Sequence, residues 1–137
     1  MVVVFDASSI VGAALKQGNT PMRALQAARE YDTIALSSAV YDEIREVLSR
    51  PKFTLALPPD RQQEILELLS AAAFWTEPDM RVVDCPDPGD NKYLELAMSS
   101  GASVIVSSDR HLLGMHPWRG ILIMRSVEFL AVTRSST

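Results

Sequence analysis

Apolar and polar positions along the chain form blocks that switch between the strand period and the helix period. Val2-Val3-Val4-Phe5 and Val104-Ile105-Val106 are unbroken, mostly β-branched runs. Runs without a polar alternate predict strands buried on both faces, as in a parallel sheet. Thr33–Leu36 predicts another strand, residues 121–124 a further one, and residues 81–83 a short one. Between them, apolar residues recur three and four apart, which predicts amphipathic helices over about 8–17, 20–31, 38–49, 59–73, 87–100 and 127–132. The punctuation agrees. Thr20-Pro21 and Asp87-Pro88 pair a capping residue with a proline suited to the first turn. Ser38 reads as another N-cap, Pro51 as a helix stop, and Gly101 as a left-handed closing residue. Strands alternating with helices imply an α/β fold of three layers, with a central, mostly parallel sheet. The 137 residues read as a single domain, 1–137.

Composition narrows the function classes. At 47% hydrophobic the chain carries a real core, and its formal charge of −4 argues against coating nucleic acid through bulk positive charge. Local basic contacts stay open. The single cysteine, Cys85, excludes an internal disulfide framework and suits a reducing, cytoplasmic setting. The first residues run straight into a strand without a basic region or cleavage site, so no signal peptide is expected. No apolar run approaches the roughly 20 residues that span a bilayer, so no membrane association is expected.

Four acids then stand out: Asp6, Glu43, Asp90 and Asp109. Asp6 and Asp109 follow the two apolar runs, at the carboxyl edge of the sheet, where open α/β sheets place ligands. Glu43 is three after Val40 and four before Val47, on the apolar side of its helix. Asp90 shares a face with Tyr93, Leu94 and Ala97. Each acid also has an ordinary reading. Asp6 and Asp109 suit N-caps, Asp90 suits the third position behind an Asp87 cap, and Glu43 suits a boundary glutamate with its head in water. Those readings explain the acids singly and not their convergence on one edge. Two unit charges about 4 Å apart repel by roughly 4 kcal/mol at an effective dielectric near 20. Several such pairs call for a cation. An all-carboxylate set suits Mg2+ or Mn2+. His111 and His116, without cysteine partners, suit zinc poorly, and read as surface or RNA-contacting residues. Cys85 reads as a small buried residue.

Taken together, the motifs resemble the PIN domain family, most closely its bacterial toxin-type (VapC-like) branch. Val3-Val4-Phe5-Asp6-Ala7-Ser8-Ser9-Ile10-Val11 resembles the opening strand and its Asp-Thr-Asn-Val pattern. Tyr41-Asp42-Glu43-Ile44 with Val47-Leu48 and Arg50-Pro51-Lys52-Phe53 resembles the second motif. Asp87-Pro88-Gly89-Asp90-Asn91-Lys92-Tyr93-Leu94 resembles the third, and Ile105-Val106-Ser107-Ser108-Asp109-Arg110-His111 the fourth. The segment from Ile123 to Leu130 resembles the closing strand and helix.

The resemblance implies a PIN-like fold and a metal-dependent ribonuclease, the toxin of a toxin-antitoxin pair. It implies Asp6, Glu43, Asp90 and Asp109 as the catalytic and metal-binding acids, and Mg2+ or Mn2+ as the cofactor. Ser8 stands where the family has Asn, Ala7 where it has Thr, and Ser107 matches the hydroxyl before the last Asp; Ser8 and Ser107 are expected to support the acids by hydrogen bonds. RNA is the implied substrate, touched by Lys16, Lys52, Arg110 or His111. A cognate antitoxin and a homodimer are the implied partners. Two other classes remain open: a non-catalytic protein-interaction domain on this fold, and a magnesium-dependent phospho-receiver. The latter needs a lysine beyond a late strand, and Ile121-Leu122-Ile123-Met124-Arg125 offers none.

Overall fold

In the computed structural model, which describes residues 1–132, five strands make one sheet in the order β3-β2-β1-β4-β5. They are β1 (Val2–Phe5), β2 (Thr33–Leu36), β3 (Ala73–Trp75), β4 (Val104–Val106) and β5 (Leu122–Met124). Every pair is parallel, so all five carboxyl ends lie along one edge. Register places Phe5 beside Val106, and the Asp6 amide extends the ladder by donating to the Val106 carbonyl at 3.0 Å. The residue after β1 is thereby fixed against the end of β4.

Helices flank this sheet and give the expected layered α/β architecture. They are α1 (Ala7–Leu15), α2 (Thr20–Tyr31), α3 (Ser38–Leu48), α4 (Pro59–Ala72), α5 (Asn91–Ser100), α6 (Arg110–Leu113) and α7 (Ser126–Leu130). Short 3-10 turns at Pro51–Phe53 and Pro88–Asp90 bracket the region of interest. The core is continuous. Val3, Val4 and Ile105 from the strands are fully buried, as are Ile10, Leu25, Leu94 and Phe129 from the helices. Phe5 and Phe129 meet edge-on, with centroids 5.9 Å apart, which seats α7 against β1. Cys85 is buried within this core, as its size suggests. Gly101 closes α5 at φ 73°, a left-handed position that glycine adopts without a Cβ penalty.

Three local expectations need correction. The caps of α2 and α3 are one residue earlier than expected: Asn19 accepts from Met22 N, and Ser37 accepts from Val40 N. The third correction is larger. Residues 81–83 form no strand, and the edge strand is Ala73–Trp75. Val82 is buried, but its amide donates to the Glu95 carboxylate at 2.8 Å and not to a ladder. β3 is hard to read because it continues an alanine-rich helix and is not enclosed. Phe74 and Trp75 remain about half exposed, so no unbroken β-branched run marks them. The last expected helix, 127–132, is Ser126–Leu130.

Candidate functional site

The carboxyl edge of the sheet opens into a cleft of about 500 Å3. Asp6, Glu43, Asp90 and Asp109 all line it, from the junction of β1 and α1, from α3, from the turn before α5 and from the loop after β4. Parallel strand ends supply two of these acids. Amphipathic packing supplies the others, because the inward faces of α3 and α5 end at this edge.

Asp6 is the most enclosed, at 2% exposure. Its Oδ1 accepts from the Ser8 hydroxyl at 2.7 Å and the Ser9 amide at 2.9 Å, and its Oδ2 accepts from the Ser107 hydroxyl. It therefore caps α1 and faces the cleft at once. Burial pushes its pKa up, and the hydrogen bonds from Ser107, Ser8 and Ser9 oppose that rise. Ser107 also accepts from the Asp109 amide at 2.9 Å, so one buried hydroxyl touches both acidic residues. Ser8 accepts in turn from the Ser108 amide and hydroxyl, stitching α1 to the loop after β4. Asp109 caps α6 by accepting from the amides of His111 and Leu112.

Asp90 is also shifted by its surroundings. Its pKa is pushed up to about 7, first by burial and then by the charges of Asp109, Asp87 and Asp6. Its Oδ2 is buried and accepts from no donor group among the described residues. Asp87 caps the 3-10 turn before α5, accepting from the Gly89 amide at 3.0 Å, which is the capping role expected of it.

Glu43 is tethered differently. The Tyr93 hydroxyl donates to its Oε1 and the Lys92 ammonium to its Oε2. The same Tyr93 oxygen accepts from the Ala7 amide at 3.1 Å, which joins α5 to the start of α1. Neither Lys92 nor Tyr93 is legible from sequence as a partner of Glu43. Their adjacency to Asp90 was the available signal.

The two histidines both reach the surface, as expected, and differ in what they touch. His111 brings a ring nitrogen to the acids: ligand atoms of Asp87, Asp90 and His111 all lie within 4.8 Å of one another, and His111 Nδ1 is 3.6 Å from Asp109. Of the four expected acids, Asp90 belongs to that tight group, while Asp6, Glu43 and Asp109 line the same cleft. His116 is structural, since its Nδ1 accepts from the Ile123 amide at 2.8 Å. Among the basic residues expected at the substrate, Lys52 lines the cleft, joined by Arg50, whose place there no periodicity signals. Lys16 and Arg110 do not line it.

The donor set fits a hard divalent cation. Several carboxylate oxygens, one of them buried with no donor among the described residues, gain a positive counter-charge from such an ion. The imidazole beside them is equally acceptable to manganese. The described residues contain no helix long and apolar enough to cross a membrane.

Residues 2–111 match a family model described as PIN domain. No curated protein matches the chain. Among solved structures, the fold is similar to a chain of VapBC2 from Rickettsia felis bound to a DNA fragment from their promoter. That match has a TM-score of 0.61 and 14% identity, over 90% of this chain and 97% of that one. PAE2754 from Pyrobaculum aerophilum is similar with a TM-score of 0.57 and 19% identity, over 96% of this chain and 100% of that one.

Proposed function

This chain belongs to the PIN domain family, and from that premise we propose that it is a metal-dependent endoribonuclease, the toxin of a toxin-antitoxin pair. The observation that carries the reading is the convergence of Asp6, Glu43, Asp90 and Asp109 on one cleft from four separate segments. A structural role explains each acid singly. It gives no reason to gather them where Asp90 is held at a pKa of about 7.

In this reading Asp90 and Asp109 are the principal metal-holding carboxylates, with Asp6 behind them and Glu43 across the cleft. A bound Mg2+ or Mn2+ would lower the pKa of a coordinated water and offset charge on the phosphodiester. The protein's own residues orient that chemistry. Ser107 and Ser8 hold the Asp6 carboxylate in place, and Ser107 fixes the backbone of Asp109. Tyr93 and Lys92 hold Glu43. The substrate is RNA, the protein acts in the cytoplasm, and it pairs with itself and with a cognate antitoxin that covers the acidic cleft. The likeness of its fold to a chain of VapBC2 supports the partner assignment.

The test is cleavage of RNA in manganese or magnesium against EDTA, together with thermal melts. We expect cleavage only with metal and a rise in Tm as manganese is added, because an ion that binds the folded state alone stabilises it. Asp90→Asn removes the cleavage and blunts the shift. Cleavage that persists in EDTA, or a Tm indifferent to metal in both proteins, rules the reading out.

A further inference from the structure

The half of the cleft away from the acids has a different chemistry. Val11, Leu15, Val47 and Phe53 give it an apolar wall, and Arg50 and Lys52 supply its charge. Phe53 and Val47 are partly buried against the core, while Leu15 is 41% exposed. The two cations differ in availability. Arg50 is forked onto Glu46, with Nε to Oε1 at 3.1 Å and Nη2 to Oε2 at 2.9 Å. Lys52 has no carboxylate partner among the described residues; its ammonium stands 5.1 Å from the centre of the Phe53 ring. A cation with no carboxylate partner, held over an aromatic ring on a rim that otherwise faces carboxylates, puts an anion site at a stacking surface, and a base that stacks there takes the place of the ammonium on the ring.

We propose that this half of the cleft is a nucleobase subsite. One unpaired nucleotide rests its base against Phe53, Leu15 and Val47 and its phosphate at Lys52. The assignment rests on the RNA-cleaving reading of the neighbouring acids and adds what that reading lacks, a reason for strand selectivity. The cleft's volume falls within the roughly 300–1,000 Å3 of sites that enclose small organic ligands. That volume includes the acidic half, so a ligand seated here reaches the acids as well. Stacking on an aromatic ring accepts any base, because every base has a π-face. Bases in a duplex are already stacked and paired, so only a loop, bulge or single strand can offer one. An extended anionic strand also needs its charge met, and Lys52 with the outer edge of Arg50 meets it just beyond the repelling acids.

Nucleoside 5′-monophosphates test this without turnover, since they contain no phosphodiester. Their binding is measured by calorimetry in manganese, against ribose 5-phosphate, which carries the same phosphate and no base. We expect the nucleotides to bind about ten-fold more tightly than ribose 5-phosphate. Phe53→Leu keeps apolar volume without the ring. It should erase that difference, leave ribose 5-phosphate affinity unchanged and melt like the native protein. Phe53→Tyr should restore the difference, and Lys52→Gln should weaken both ligands alike. Equal binding of the two ligand types, absence of nucleotide binding, or a difference that survives Phe53→Leu overturns the subsite. The last result would leave the apolar wall to a protein segment. Metal-dependent cleavage is scored separately, so loss of the subsite with cleavage intact leaves the nuclease reading standing. Loss of cleavage with selective nucleotide binding does the reverse.

Discussion

The hydroxyl of Tyr93 donates to Glu43, 50 residues away in sequence, and its oxygen accepts the buried amide of Ala7. One side chain of α5 therefore sets both a carboxylate on α3 and the first turn of α1. Tyr93→Phe leaves a buried amide without an acceptor and Glu43 with Lys92 alone. We expect a loss of about 1–3 kcal/mol in urea melts, with the fold retained. A variant as stable as the native protein would remove Tyr93 from this role.

Asp90 makes stability and metal affinity depend on pH in opposite directions. Its pKa rises from 3.8 to about 7 on folding, so the folded state holds a proton that the unfolded state releases between those values. In EDTA, stability should fall as pH rises through that window, by about 1 kcal/mol once the partial exposure of the group is allowed for. Asp90→Asn should reduce this dependence, and the raised Asp6 carboxyl accounts for what is left. Manganese must displace the same proton, so its affinity in the native protein should climb up to about pH 7 and then level off. Melts and metal titrations from pH 4 to 8 read both trends, and parallel pH profiles for the native and Asn proteins would sink the assignment.

Asp87 and Asp90 separate a cap from a ligand. Asp87 is exposed and accepts from the Gly89 amide, so Asp87→Ser preserves the cap and should melt within about 0.5 kcal/mol of the native protein. Cleavage should largely survive, with somewhat weaker manganese binding because Asp87 stands beside Asp90 and His111. Asp90→Asn should fold and not cleave. If Asp87→Ser is instead the inactive variant, the two roles are exchanged.

Ser107 is 1% exposed, donates to Asp6 and accepts from the Asp109 amide. Ser107→Ala removes both bonds at once, at an expected cost of about 1–3 kcal/mol. Because that hydroxyl is the hydrogen bond that most lowers the pKa of Asp6, its loss should also leave the carboxyl easier to protonate. Metal affinity should then fall more at lower pH than at higher pH. Ser107→Thr, which keeps the hydroxyl, should restore both properties; a purely steric role for Ser107 predicts no such rescue and no pH dependence.

The sequence by itself determined the elements whose environment is uniform. Strands enclosed on both faces must be apolar at every position, so β1, β2 and β4 were legible as runs, and Asp6 and Asp109 as the polar residues that end two of them. The faces of α3 and α5 were legible from spacing, which put Glu43 and Asp90 inward. The tertiary structure decided what depends on partners distant in the chain. Phe74 and Trp75 favour extension, but three residues on an open edge give no period to read, and β3 is fixed by the ladder that Ile34, Ala35 and Leu36 of β2 offer it. His111 and Asp87 join Asp90, and Lys92 and Tyr93 take hold of Glu43, only where the ends of three elements meet. Periodicity fixes the face of a helix on which a side chain lies. The distance between side chains on different elements, and with it charge pairing and pKa, is set by how those elements pack.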